Sequence, residues 1–188
     1  HPKSPRSSIM RTTWQPLSNE TKPLTFLLVL TVLFLFTSSC SDNIQNAHDA
    51  YNKKDYKEAH KLFLSLATDG VAQAQNNLGW MYSKGQGVPQ DYKEAVKWYR
   101  LSAEQGDAKA QLNLGNMYAR GEGVEENVKE AVKWWKLAKK QGLDWNKGLL
   151  HDLAKKNIPE ALSFMKTLAR DGDVGLQMKL GRMYHEGQ

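Results

Sequence analysis

In this 188-residue chain the groups suited to covalent or metal-assisted work are a few serines, the histidines and a single cysteine. Ser163-Phe164-Met165-Lys166 spells S-x-x-K and Ser41-Asp42-Asn43 spells S-D-N, two elements of a serine acyl-enzyme in which a lysine assists the nucleophile. In such sites S-x-x-K comes first and a K-T-G strand completes the pocket. Here the order is reversed, and Lys166-Thr167 runs on into Leu168. That order argues against an acyl-enzyme, so a hydrolase of cell-wall or β-lactam substrates stands only as the alternative function. His48, His60, His151 and His185 include no H-E-x-x-H and no pair at i, i+4, the spacing that puts two ligands on one helix face. Gly85-Gln86-Gly87 and Gly121-Glu122-Gly123 lack the third glycine and the preceding strand of a dinucleotide loop, and no G-x-x-x-x-G-K-S/T occurs. One cysteine, Cys40, forms neither an intramolecular disulfide nor a thiolate-rich zinc site. The expectation is a non-catalytic protein with no cofactor and no metal.

Cys40 has a different use. Leu24 to Phe36 is a run of thirteen residues without a charge. As a helix it rises about 20 Å, short of a hydrocarbon core of about 30 Å, so it is sized as the apolar region of a signal peptide. Met10 supplies a start, with Arg11 and Lys22 as the positive region. The following Thr37-Ser38-Ser39-Cys40 resembles the lipobox of bacterial lipoproteins, with Thr37 where that family usually carries Leu, Val or Ile. The resemblance implies cleavage before Cys40 and lipid attachment at its thiol, with residues 1–39 as upstream segment and signal peptide and 40–46 as a lipidated tether. Ser41 in the next position resembles the outer-membrane sorting class. The expected location is thus the bacterial cell envelope, as an outer-membrane lipoprotein facing the periplasm; inner-membrane anchoring, retention on an uncleaved segment and secretion are the alternatives. The formal charge of +6 does not point to nucleic acid, because Lys3, Arg6, Arg11 and Lys22 against Glu20 place half of it within residues 1–39.

Repeats organise the rest. Residues 71–106 and 107–142 align without a gap at a 36-residue period and share twenty identities. Tyr56 to Gly70 and Glu160 to Gly172 match the second half of this unit, and Gln177 to Gly187 begins the first half again. The shared motifs are A-x-A-Q-x-N-L-G-x-M-Y, then G-x-G-V, then K-E-A-V-K-W closing on Q-G. They resemble the Sel-one-like repeat family, relatives of tetratricopeptide repeats. That resemblance implies an all-α helical-repeat solenoid of antiparallel helix pairs, a right-handed superhelix used as a protein-interaction scaffold or adaptor. The repeat domain is read as 47–188: a partial unit at 47–70, full units at 71–106 and 107–142, a degenerate pair at 143–172 lacking G-x-G-V, and a truncated unit at 173–188.

Periodicity supports the same elements. Ala74, Leu78, Met81 and Tyr82 recur at helical spacing, as do Tyr92, Ala95, Val96 and Tyr99, giving two amphipathic helices per repeat. Gly79 and Gly115 share one register, which predicts a close approach between helices. Trp98 and Trp134, equivalent in the second helices, are read as core. By the tetratricopeptide pattern the first helices turn Gln73, Asn76, Trp80, Ser83 and Lys84, then Lys109, Leu112, Asn116, Ala119 and Arg120, toward a groove for a partner protein, extended peptide or acidic segment. Asn77 and Asn113 are read either as donors to a peptide backbone or as links within the array. Lys136, Lys139 and Lys140 are read as a solvated helix end. Leu180, Met183 and Tyr184 lack a following helix to cover them, from which a longer natural chain is expected.

Overall fold

The computed structural model describes residues 43–143 and 147–186, all within the unit formed by residues 41–188. Among the described residues the regular structure is entirely helical. α1 spans 43–52. It is followed by α2 (Tyr56–Thr68), α3 (Ala72–Lys84), α4 (Tyr92–Glu104), α5 (Ala108–Arg120), α6 (Val128–Lys140), α7 (Lys147–Lys155), α8 (Pro159–Arg170) and α9 (Val174–His185). Each helix packs on its neighbour in sequence from α2 to α6 and from α7 to α9, while α6 also packs directly on α8. α1 begins inside the segment read as a tether. The signal segment, Cys40 and Ser41 lie outside the described residues.

The helix boundaries follow from local chemistry. Asp55, Asp91 and Asn127 cap α2, α4 and α6, each side chain accepting from the backbone N–H of the glutamate three residues on. An acceptor there satisfies one of the four N–H groups that a helix start leaves unpaired, and Glu58, Glu94 and Glu130 add negative charge to the positive end. Asp107 and Asp173 cap α5 and α9 in the same way. Asp173 also holds Lys147 at 2.9 Å, and that ammonium is the main reason its carboxyl sits below the ordinary aspartate range. α3 and α5 stop at Gly85 and Gly121, both left-handed.

Within a repeat, the two helices meet at a glycine. A Cβ on Gly79 would stand 2.8 Å from the ring of Tyr99 on α4, and one on Gly115 would stand 2.6 Å from the indole of Trp135 on α6. Tyr99 is 2% exposed and Trp135 fully buried. The aromatic pair read as core lies one residue earlier. Trp134 is buried, but Trp98 is only half-buried, and both carry a buried indole N–H with no hydrogen-bond partner among the described residues. The reason is register: a ring seats over the glycine only from 99 and 135, while 98 and 134 are rotated away by one residue.

Between repeats, glutamines form a recurring clasp. Gln75, Gln111 and Gln177 each donate to a carbonyl on the preceding helix, those of Ala67, Ala103 and Ala169. Gln105 then donates to Gln75 at 2.7 Å and Gln141 to Gln111 at 3.0 Å. The glutamine of A-x-A-Q and that of the closing Q-G therefore satisfy each other within one unit, while the first reaches back to the unit before. The G-x-G loops lean on the previous unit, where a side chain on Gly87 or Gly123 would collide with the carbonyl of Tyr56 or Tyr92.

Candidate functional site

α1, α2, α3 and α5 enclose a groove of about 470 Å³. Asn76, Asn77 and Trp80 come from α3, Lys109, Leu112 and Asn113 from α5, and His48, Tyr51 and Asn52 from α1, while Phe63 of α2 and Leu143 complete the lining. Its principal aromatic is held in place. Trp80 is 40% exposed, its indole N–H donates to the Tyr51 hydroxyl at 3.1 Å, and that hydroxyl donates to Gln86 at 2.8 Å. The Lys84 ammonium lies 4.7 Å from the Trp80 ring centroid, within cation–π range. A ring fixed by a hydrogen bond and a cation loses little rotamer freedom when a ligand covers it.

The amides tie α1, α3 and α5 together. Asn113 donates to Asn76 at 3.1 Å across the repeat boundary. The Gln73 and Asn77 amide nitrogens both approach His48 Nε2, at 3.2 and 3.3 Å. Two donors on one ring nitrogen require it to be an unprotonated acceptor, so the bonded tautomer carries its proton on Nδ1. His48 also stands edge-on to Phe63, with centroids 5.2 Å apart. Burial, followed by the nearby Lys109, lowers its pKa; Asp49 opposes them weakly.

Asn76, Trp80, Lys109 and Leu112 thus meet in one groove, while Gln73 and Lys84 stand beside it through His48 and the Trp80 ring. Asn77 and Asn113 bond within the array, to His48 and Asn76. Four expected positions lie elsewhere. Ser83 is buried, donating to the Trp80 carbonyl and lying 3.5 Å from the Tyr99 hydroxyl, and Ala119 is 4% exposed. Both fall four residues after the seat glycine, on the face turned to the paired helix. Asn116 accepts from the Trp135 indole at 3.2 Å, so its carbonyl serves the helix pair. Arg120 is exposed at the end of α5 and approaches Glu122 at 4.0 Å, away from the groove lining.

α1 was not legible as a helix of the array, and with it His48, Tyr51 and Asn52 were missed. Its turn to α2 has only three residues and no G-x-G-V, so the 36-residue pattern does not extend to it. The available signal was Ala47 and Tyr51, four residues apart ahead of the Asp55 cap. Ser163 and Lys166, the S-x-x-K pair, share one face of α8, but the Lys166 ammonium lies over Tyr184, 5.6 Å from its ring centroid. Among the described residues no group of three His, Cys, Asp or Glu side chains is placed to hold a metal ion, and no helix is long and apolar enough to cross a membrane.

Comparison with known proteins places this architecture. No curated protein sequence matches the chain. Among solved structures, a Sel1 repeat protein from Oxalobacter formigenes is 32% identical with a TM-score of 0.58, the match covering 77% of this chain and 62% of that one. A protein described as c5321, a protective antigen present in uropathogenic Escherichia coli strains and displaying an SLR fold, is also 32% identical, with a TM-score of 0.64 over 84% of this chain and 36% of that one. The chain therefore spans less than two thirds of either relative. The Sel1 repeat model matches residues 53–71, 72–107, 108–143 and 176–188, more than half of the sequence. With its paired helices, glycine seats and glutamine clasps in the same frame as those matches, the chain belongs to the Sel1 repeat family.

Proposed function

We propose that this chain is a protein-interaction scaffold of the bacterial cell envelope, holding an extended, acidic segment of a partner protein in the groove between α1, α3 and α5. The observation that carries the reading is Trp80. It is a large aromatic, 40% exposed, prepositioned by Tyr51 and Lys84 and standing beside Lys109 and the Asn76–Asn113 pair. Exposed, rigid tryptophans beside cations and amides suit a peptide that presents one apolar side chain and a carboxylate. Membership of a repeat family that typically mediates protein interactions supports the same class of function. The lipobox-like Thr37-Ser38-Ser39-Cys40 motif supports attachment of the protein to the membrane by lipid at Cys40, with the repeats on the periplasmic side.

Affinity capture from envelope extract tests the groove. A partner recovered on the wild-type chain and lost on Trp80→Ala and on Lys109→Glu, with helix content and melting unchanged, is the expected result. Equal recovery on all three baits counts against the groove. Attachment is tested separately by fractionation and mass measurement of Cys40→Ala, which should lose both the lipid mass and membrane association. An unchanged distribution would sink the anchor without touching the groove.

A further inference from the structure

A second groove lies on another part of the repeat unit, between α6 and α8, where the regular repeat breaks down. The degenerate unit lacks the G-x-G-V loop, α8 begins at Pro159, and α6 packs directly on α8. The resulting groove is about 700 Å³. Its α6 wall carries Lys129, Lys133, Lys136 and Lys140, and Val132, Leu137 and Pro159 supply apolar lining.

The lysines recur at i, i+4, i+7 and i+11, which places them along one face over three turns, about 16 Å. Lys139, read with its neighbours as part of a solvated helix end, is not in the lining. Lys133 is the member with an ion-pair partner among the described residues, Glu130 at 3.4 Å, and its side chain is still 62% exposed. Lys136 rides over Phe164 at 5.4 Å from the ring centroid. The acidic residue in the lining is Glu160, exposed on α8. A smaller depression sharing Pro159 and Ser163 continues the surface past Lys166 and Arg170. The row is particular to this helix, because the equivalent positions of α4 are Lys93, Lys97, Arg100 and Glu104. There Lys97 is held by Glu94 at 2.7 Å and Arg100 by the Tyr118 hydroxyl at 2.6 Å.

We propose that the α6–α8 groove docks an acidic amphipathic helix of a partner protein. Carboxylates one helical turn apart would meet the lysine row, and an apolar residue between them would cover Leu137 and Val132. The periodicity of the cations matches that of a helix, and the apolar lining gives such a partner surface to bury. A continuous polyphosphate has no use for that lining and would run against Glu130 and Glu160. An anionic bilayer is flat, whereas these apolar side chains line a groove.

The test uses the full chain and a fluorescein-labelled synthetic helix with Glu at i, i+4, i+7 and i+11 and Leu on the adjoining positions, followed by anisotropy. Saturable binding that weakens with added salt is expected. The double variant Lys133→Glu, Lys136→Glu should lose affinity by about tenfold or more, while Lys93→Glu and Trp80→Ala should not change it. A probe with Lys in place of each Glu should bind the double variant better than the wild type, which separates lost complementarity from lost folding. Absence of binding to the wild-type chain overturns the proposal. So does binding indifferent to the double variant, or equal capture of polyglutamate, of oligonucleotide or of phosphatidylglycerol vesicles.

Discussion

At Gly115 the helix gives up a side chain so that Trp135 can lie against its backbone, and the same holds for Gly79 beneath Tyr99. Alanine normally improves a helix interior by about 1 kcal/mol over glycine. Here the added methyl would meet a ring at 2.6 Å and must push it aside. Gly115→Ala is therefore expected to destabilise the fold by about 1–3 kcal/mol. Gly181 occupies the same register in α9 with nothing among the described residues within 4 Å of its Cβ direction, so Gly181→Ala should be neutral or stabilising. Denaturant melts of the two variants check both signs, and equal effects would refute the seat. Trp135→Ala should cost about 3–5 kcal/mol, and the half-buried Trp98 less. At this scale the sequence was half legible. Two glycines at one register announced a close contact, but the residue that fills it is set by which of two adjacent aromatics points down. Ser83 and Ala119 were misplaced for the same reason, since one step of 100° separates a groove position from the helix interface.

At the scale of elements, the junction of α1 with α3 rests on a neutral imidazole. His48 is held below the ordinary histidine value first by burial, as are His60 and His151. On acidification the unfolded chain takes up protons first, near pH 6.5, and the folded chain only at lower pH. The stability these groups contribute is thus complete above about pH 6.5 and lost as pH falls toward and through their folded values. Melting temperature should decline from about pH 7 to pH 5, and His48→Gln, which keeps an acceptor without the charge, should flatten part of that decline. A pH-independent melt over this range would contradict the assignment. Protonated His48 would also turn from acceptor to donor toward Gln73 and Asn77 while facing Lys109, so α1 is the first helix expected to loosen. α2, α4, α5, α6 and α9 were legible as elements because each start carries a capping Asp or Asn, and α3 and α8, which follow Val71 and Ile158 without a side-chain cap, because they copy the repeat motifs. α1 has neither the loop motif nor a counterpart in the period.

Across the repeat unit, contacts are made between neighbours, which is the condition for stability to behave as a sum of units and interfaces. The glutamine clasps are the polar part of those interfaces. Gln111 donates to Ala103 and accepts from Gln141, and it is 5% exposed, so Gln111→Ala deprives the buried Ala103 carbonyl of its donor and leaves the exposed Gln141 with Gly106 alone. An expected cost of about 1–3 kcal/mol should show as lost amide protection in α4, α5 and α6 before α8 and α9. Uniform loss throughout would mean that the array opens as one body. The solenoid itself was the most legible feature, because an ungapped 36-residue repeat leaves little else to build. The α6–α8 groove was not legible, since it arises where the period fails and geometry is no longer copied from the unit before.

The two aromatic seats differ in one respect that reaches beyond packing. Trp135 carries a ring N–H that engages Asn116, whereas the phenol of Tyr99 points to Ser83 and asks nothing of position 80. Position 80 thereby owes the paired helix no acceptor and is free to hold a tryptophan that bonds Tyr51 instead, while its counterpart one repeat on supplies an acceptor. The choice of tyrosine or tryptophan at the buried seat thus sets whether the residue at this register of the first helix must be an acceptor. Exchange of the side chain should therefore cost fold stability at position 116 and little at position 80.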